Sequence, residues 1–138
     1  MNNLSLKSLL VPSKTVEVEF PGFSGFKINV AFLTRETLIN IRKKATKMSY
    51  KKQAVEELDD KLFLRLYVEA AIKGWKGLKL SYLEQLAPVD LNGENPDNEL
   101  PYDSENALFL MQSSSNFDSF ISETVTELSN FSNSNTKV

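Results

Sequence analysis

Hydrophobic and polar positions alternate twice near the start of the chain. Thr15–Phe20 (TVEVEF) sets Val16 and Val18 on one side and Glu17 and Glu19 on the other, the period of two expected of a half-buried strand. Phe26–Leu33 (FKINVAFL) repeats the pattern, with Phe26, Ile28, Val30 and Phe32 sharing a face. Between them Pro21–Gly25 (PGFSG) supplies turn chemistry, so the pattern predicts an antiparallel hairpin. A lone hairpin is only marginally stable in water; it must pack on helices or join a larger sheet.

The period then lengthens to that of helices. Thr34 is placed to cap a helix with Glu36 in its first turn, followed by Leu38, Ile41, Ala45 and Met48 at helical spacing. A second helix is expected over about Gln53–Ile72, opening with Glu56, Glu57, Asp59 and Asp60 and carrying a wide apolar stripe from Leu58 to Ala71. Gly74-Trp75-Lys76-Gly77 should end it, with Gly74 at the left-handed cap position. Ser81 and Glu84 have capping-box spacing for a short helix, Ser81–Leu86. Ala87–Tyr102, with three prolines and many Asp, Asn and Glu, reads as one long loop. Asp103 or Ser104 caps a helix running to about Gln112, and Ser113-Ser114-Ser115 breaks it. Asn116 opens a last helix with Phe117, Phe120, Ile121, Val125, Leu128 and Phe131 along one face.

The expectation is an α+β fold, mainly α, with an N-terminal β-hairpin packed on a bundle of about five helices. Residues 15–131 form the single domain. Residues 1–14 precede it as a loose arm or a short amphipathic segment docking through Leu4, Leu6, Leu9 and Leu10, and 132–138 form a disordered polar tail.

Composition narrows the chemistry. The chain's 138 residues include no Cys and no His, which removes disulfides, thiol catalysis, cysteine-ligated zinc and the commonest general base. Nothing resembles a signal peptide, and no run approaches the roughly 18 apolar residues of a membrane span. The formal net charge of -2 conceals a division. Up to Lys79 there are 15 basic and 8 acidic residues, a balance of +7; beyond it one basic residue faces 10 acidic ones, a balance of −9. The chain is dipolar.

No catalytic, cofactor or metal motif has the required spacing. Gly22–Lys27 (GFSGFK) has two residues between its glycines where a phosphate loop needs four, and a strand follows. Asp90, Asn92 and Glu94 are spaced like the first ligands of a calcium loop, but Gly93 comes fourth instead of sixth and Pro101 stands where a bidentate Glu is needed. The carboxylates of Glu56/Glu57 and Asp59/Asp60 are explained by a helix N-terminus. A non-enzymatic protein is expected. The candidate partner-binding residues are the basic Arg42, Lys43, Lys44, Lys47 and Lys51, the acidic Asp90, Glu94, Asp97 and Glu99, and Trp75. Trp75 reads either as a core anchor at a helix end or as a contact hot spot. Arg42–Lys52 (RKKATKMSYKK) could follow a phosphate backbone, but it lacks a stacking platform and is accounted for by a solvated helix face.

One ordered series of short pieces goes further. It runs Phe20-Pro21-Gly22-Phe23, Leu33 to Leu38 (LTRETL), Arg42 to Thr46 (RKKAT), Leu58 to Leu62 (LDDKL) and Gly74 to Leu78 (GWKGL). It continues through Leu80 to Leu86, Pro88-Val89-Asp90, Leu100-Pro101-Tyr102, Asn106-Ala107, and Phe117 with Phe120. In that order and spacing the chain from about Phe20 resembles the tail assembly chaperones of long-tailed, siphovirus-type bacteriophages, in their short, non-frameshifted form. The resemblance implies a protein of the infected host's cytoplasm that binds the tape measure protein, recruits tail tube subunits around it, and is absent from the finished virion. It also implies a longer frameshifted form as partner, and neither cofactor, nucleic acid nor membrane. Complementary charge on the basic helix and the acidic loop suits self-association, one copy's basic helix meeting another's acidic half, while internal pairing of the two halves is the alternative. Two competing readings are a structural tail or head-tail component retained in the virion, and a phage regulatory protein binding nucleic acid through Arg42–Lys52.

Overall fold

The computed structural model describes residues 4–10, 14–50 and 58–131, with the side chains of 47–50 excepted. The architecture is α+β and mainly helical. A one-turn helix α1 (Leu6–Leu9) precedes strands β1 (Thr15–Glu19) and β2 (Lys27–Ala31), helices α2 (Arg35–Tyr50) and α3 (Asp60–Ala71), and strand β3 (Ile72–Lys76). Helices α4 (Leu80–Leu86), α5 (Ser104–Ser113) and α6 (Ser115–Thr126) follow, and a 3₁₀ turn, Leu128–Phe131, closes the described chain. The expected hairpin is present, with Val16 opposite Val30 and Val18 opposite Ile28.

The hairpin meets both of its packing requirements, because β2 also pairs antiparallel with β3. That third strand corrects the sequence reading. Helix α3 ends at Ala71, and Ile72 is already extended (φ -111, ψ 120), so the chain passes from helix to strand with no linker. Gly74 is no helix cap: it lies within β3, opposite Asn29, where the pairing slips between Asn29 and Val30. Glycine inside a strand commonly marks such an irregularity. The left-handed backbone belongs to Gly77 (φ 77) instead.

Side-chain caps account for most helix starts. Thr34 Oγ1 accepts from the Thr37 amide, Asp59 Oδ1 from Leu62, Asp103 Oδ1 from Asn106 and Ser114 Oγ from Phe117. Each satisfies an amide that the first helical turn leaves unpaired. Helix α3 starts at Asp60; the expected start near Gln53, with Glu56 and Glu57, lies outside the described residues. The capping box at Ser81 and Glu84 does not form, for α4 begins one residue earlier and Lys79 precedes it without a side-chain cap. Ser114 ends α5 and caps α6, which moves the start of the last helix from Asn116 to Ser115.

One core joins the sheet to α3, α5 and α6. Phe26, Ile28, Val30, Ile72, Leu78, Phe117, Ile121 and Val125 are all fully buried in it. Phe20 is its aromatic hub, with ring centroids 4.9 Å from Phe120, 5.2 Å from Phe23, 5.8 Å from Phe26 and 6.1 Å from Phe117. One expected core residue departs from the pattern and its neighbour in the expected series keeps to it. Leu128 is exposed, because α6 has already ended at Thr126 and the tighter 3₁₀ turn rotates it outward, while Phe131 is buried against Phe32. The arm does not dock: Leu4, Leu6, Leu9 and Leu10 are all exposed.

Candidate partner-binding surfaces

The basic surface is built on α2. Ile41 and Ala45 are buried against the body, which turns Arg42, Lys43 and Lys44 to solvent. Arg42 is not wholly free, because its guanidinium carbon lies 5.6 Å from the ring centroid of Phe63 on α3, a cation–π distance. Lys44 flanks a surface hollow with Thr37, Asn40, Leu66 and Glu69. The Lys47 side chain and all of Lys51 lie outside the described residues.

The acidic surface is a structured loop. Asp90 Oδ1 accepts from the Asn92 amide at 2.8 Å. Asn92 and Gly93 then adopt left-handed angles (φ 54 and 82), and the Glu94 amide returns to the Leu91 carbonyl at 3.0 Å. This is a two-residue left-handed turn of the Asn-Gly kind. The residues compared above with a calcium loop form that turn. Among the described residues no group of three or more acidic side chains is gathered closely enough to hold a metal ion. Asp97 continues the bend, its amide donating to Asn95 Oδ1 at 2.9 Å. The Glu99 main chain pairs antiparallel with that of Lys79, and its side chain accepts from the Gly77 amide at 3.2 Å. Leu80 and Leu100 fasten the loop further, the Leu80 amide to Asn98 and the Leu100 amide to Leu78, each at 2.8 Å.

Trp75 sits half-buried on β3 rather than at a helix end. Its ring meets Phe26, Tyr102 and Phe117 edge-on, and its Nε1 donates to the Leu100 carbonyl at 3.0 Å. It therefore joins the sheet to the acidic loop. Among the described residues no ion pair joins the basic patch to the acidic one. Among the described residues the one ion pair is Lys76–Glu17 at 3.5 Å, across the outer face of the sheet, and both partners belong to the basic half.

One surface escaped the sequence reading. Phe109 is 54% exposed on α5 and Val89 39% exposed in the loop. With Leu83, Ala87, Leu100 and Leu110 they line an apolar hollow of about 120 Å³. The signal was present in Ala107-Leu108-Phe109-Leu110-Met111, since five consecutive apolar residues cannot all face one side of a helix.

Residues 32–138 match the family model described as YdaY prophage protein. The chain belongs to the YdaY prophage protein family. It is thus phage-derived. No curated protein and no solved structure matches it. The YdaY match takes in α2 to α6, the basic face of α2, the acidic loop and the Phe109 hollow. The arm and the hairpin strands lie ahead of the matched span. No described helix of this YdaY-family chain is long and apolar enough to cross a membrane.

Proposed function

We propose that this prophage protein is a tail assembly chaperone: it binds the tape measure protein, gathers tail tube subunits around it in the host cytoplasm, and leaves before the tail is complete. The observation that carries the reading is the unneutralised polarity of the fold. Arg42, Lys43 and Lys44 stand on one surface and Asp90, Glu94, Asp97 and Glu99 on another, with no ion pair between them. Surfaces of that kind give fast, reversible association, which an assembly factor needs more than tight binding. The phage origin and the ordered series of motifs from Phe20 to Phe120 point the same way. The reading involves no catalysis and no cofactor.

Two measurements test it. Tagged chain co-expressed with the neighbouring tape measure protein should bring that protein down, and mass spectrometry of purified virions should find no trace of the chain. Stoichiometric retention in virions would replace the chaperone with a structural tail component. Failure of the pull-down, joined to a salt-sensitive gel shift that Lys43→Glu with Lys44→Glu abolishes, would replace it with a nucleic-acid-binding regulator.

A further inference from the structure

We infer that the leucine arm of one copy seats in the Phe109 hollow of a second copy. The inference rests on the two surfaces themselves and holds or fails whether or not the chain is a chaperone. The arm presents Leu4, Leu6, Leu9 and Leu10 at 62–72% exposure. Leu6 and Leu9 fall on one side of α1, at the three-residue spacing that brings helical side chains together, and Leu10 follows at its extended C-cap. Neighbouring exposed leucines of this kind, unlike single scattered ones, mark a contact surface. The hollow is their counterpart in shape and chemistry, lined mainly by apolar side chains around the exposed Phe109 ring.

Charge selects the pairing. Residues 1–14 carry Lys7 and Lys14 and no acidic residue, whereas 80–131 carry ten acidic residues and no basic one. Every residue lining the hollow comes from that acidic stretch. The arm is thus a basic, apolar segment and the hollow an apolar patch in an acidic field, and rim charges of that kind steer the encounter while leucine burial holds it.

Exposure points to a second copy, since the arm's leucines are not seated in the hollow of their own chain. The arm enters the fold at Thr15, which pairs with Ala31 at one end of β2. The hollow lies beyond the other end, where Lys27 pairs with Lys76 and the chain continues through Leu78 to its bond with Leu100. The length of β2, about 13 Å at roughly 3.3 Å per residue, separates the two ends, and although the residues from Leu10 to Thr15 are long enough to span it, the arm's leucines stand exposed instead of turned back along it. Arm and hollow are different surfaces, so the contact is either exchanged reciprocally in a closed dimer or repeated head to tail into rings or open chains of copies.

The absence of cysteine allows a clean test on the full chain. Leu9→Cys and Val89→Cys are made in separate copies, mixed, and oxidised. The expected result is a cross-linked species of twice the chain mass in the mixture, lost when the Val89→Cys copy also carries Phe109→Ser. Far-ultraviolet circular dichroism checks that each variant keeps its fold, which both exposed positions favour. The inference is overturned if mixed copies give no cross-link above that of a Lys73→Cys control. It is equally overturned if the double variant Leu9→Cys/Val89→Cys closes only on itself, at monomer mass and independently of concentration.

Discussion

The indole Nε1 of Trp75 donates to the main-chain carbonyl of Leu100 at 3.0 Å, across 25 residues of sequence. That bond ties the edge strand β3 to the acidic loop, as the Tyr102 hydroxyl does through the Ile72 carbonyl, and it orients an indole already packed on Phe26, Tyr102 and Phe117. Replacing Trp75 by Phe removes the donor and keeps most of the packing, so it should cost about 1 kcal/mol. Trp75→Ala removes both and should cost about 3 kcal/mol. Urea unfolding followed by circular dichroism checks the pair. Equal losses for the two variants would mean that the bond, not the packing, dominates at this position.

Gly77 is held more tightly than the other turn glycines. Its φ is +77, and a Cβ there would collide with the Gly25 carbonyl in the hairpin turn, while a Cβ on Gly22 (φ +87) would meet nothing. Gly22→Ala therefore incurs only the left-handed backbone cost, about 1–2 kcal/mol. Gly77→Ala must also push the β3–α4 link away from the hairpin turn, and should cost at least ~2 kcal/mol more. Thermal melts of both variants decide the ordering; a Gly77→Ala protein no less stable than Gly22→Ala would show that the two segments separate freely.

Much of this fold was legible from local pattern, and the failures have local causes. The hairpin followed from Val16, Val18, Ile28 and Val30 alternating with polar neighbours around Pro21–Gly25. Thr34 and Asp103 were read as caps because a side-chain oxygen ahead of an apolar run has one favourable use. Strand β3 was not legible. Ile72–Lys76 contains a glycine and follows Ala70 and Ala71 without a break, and only its partner β2, more than forty residues earlier, makes it a strand. The charged patches were found because charge is visible in sequence. Whether they neutralise each other depended on tertiary placement, which residue order does not encode. The Phe109 hollow depends on α4, α5 and the loop at once.

Tyr67 and Tyr102 give the protein an alkaline limit. Burial pushes the Tyr67 phenol above its usual value, opposed by its hydrogen bond to Ser122 and aided by the charge of Asp118. Burial also raises Tyr102, with Asp103 and Glu69 adding to it, and the hydroxyl donates to the Ile72 carbonyl at 3.0 Å. In the unfolded chain both phenols ionise near pH 10. A raised folded-state pKa means the unfolded chain releases its proton first, so stability is fully present below about pH 10 and falls as pH rises beyond it. Urea midpoints measured from pH 8 to 11.5 should show that decline, less steep in Tyr67→Phe. An identical slope in wild type and Tyr67→Phe would assign the decline elsewhere.

The separated charges and the apolar arm should leave different signatures in solution. Contact between exposed charges weakens as the Debye length shrinks from about 30 Å at 0.01 M salt to about 3 Å at 1 M. If Lys43 and Lys44 of one copy meet Asp97 and Glu99 of another, light scattering at 0.02 M salt should give a mean mass above the 15.6 kDa of one chain, declining as salt is added. Lys43→Glu with Lys44→Glu should lower that mass at low salt, and an equimolar partner carrying Asp97→Lys with Glu99→Lys should restore it. The fraction that survives 1 M salt belongs to leucine burial, which salt does not screen, and Leu6→Ser with Leu9→Ser should remove it. A chain that remains at 15.6 kDa in both salts at every concentration reached would exclude charge-driven self-association, leaving the basic and acidic surfaces to other partners.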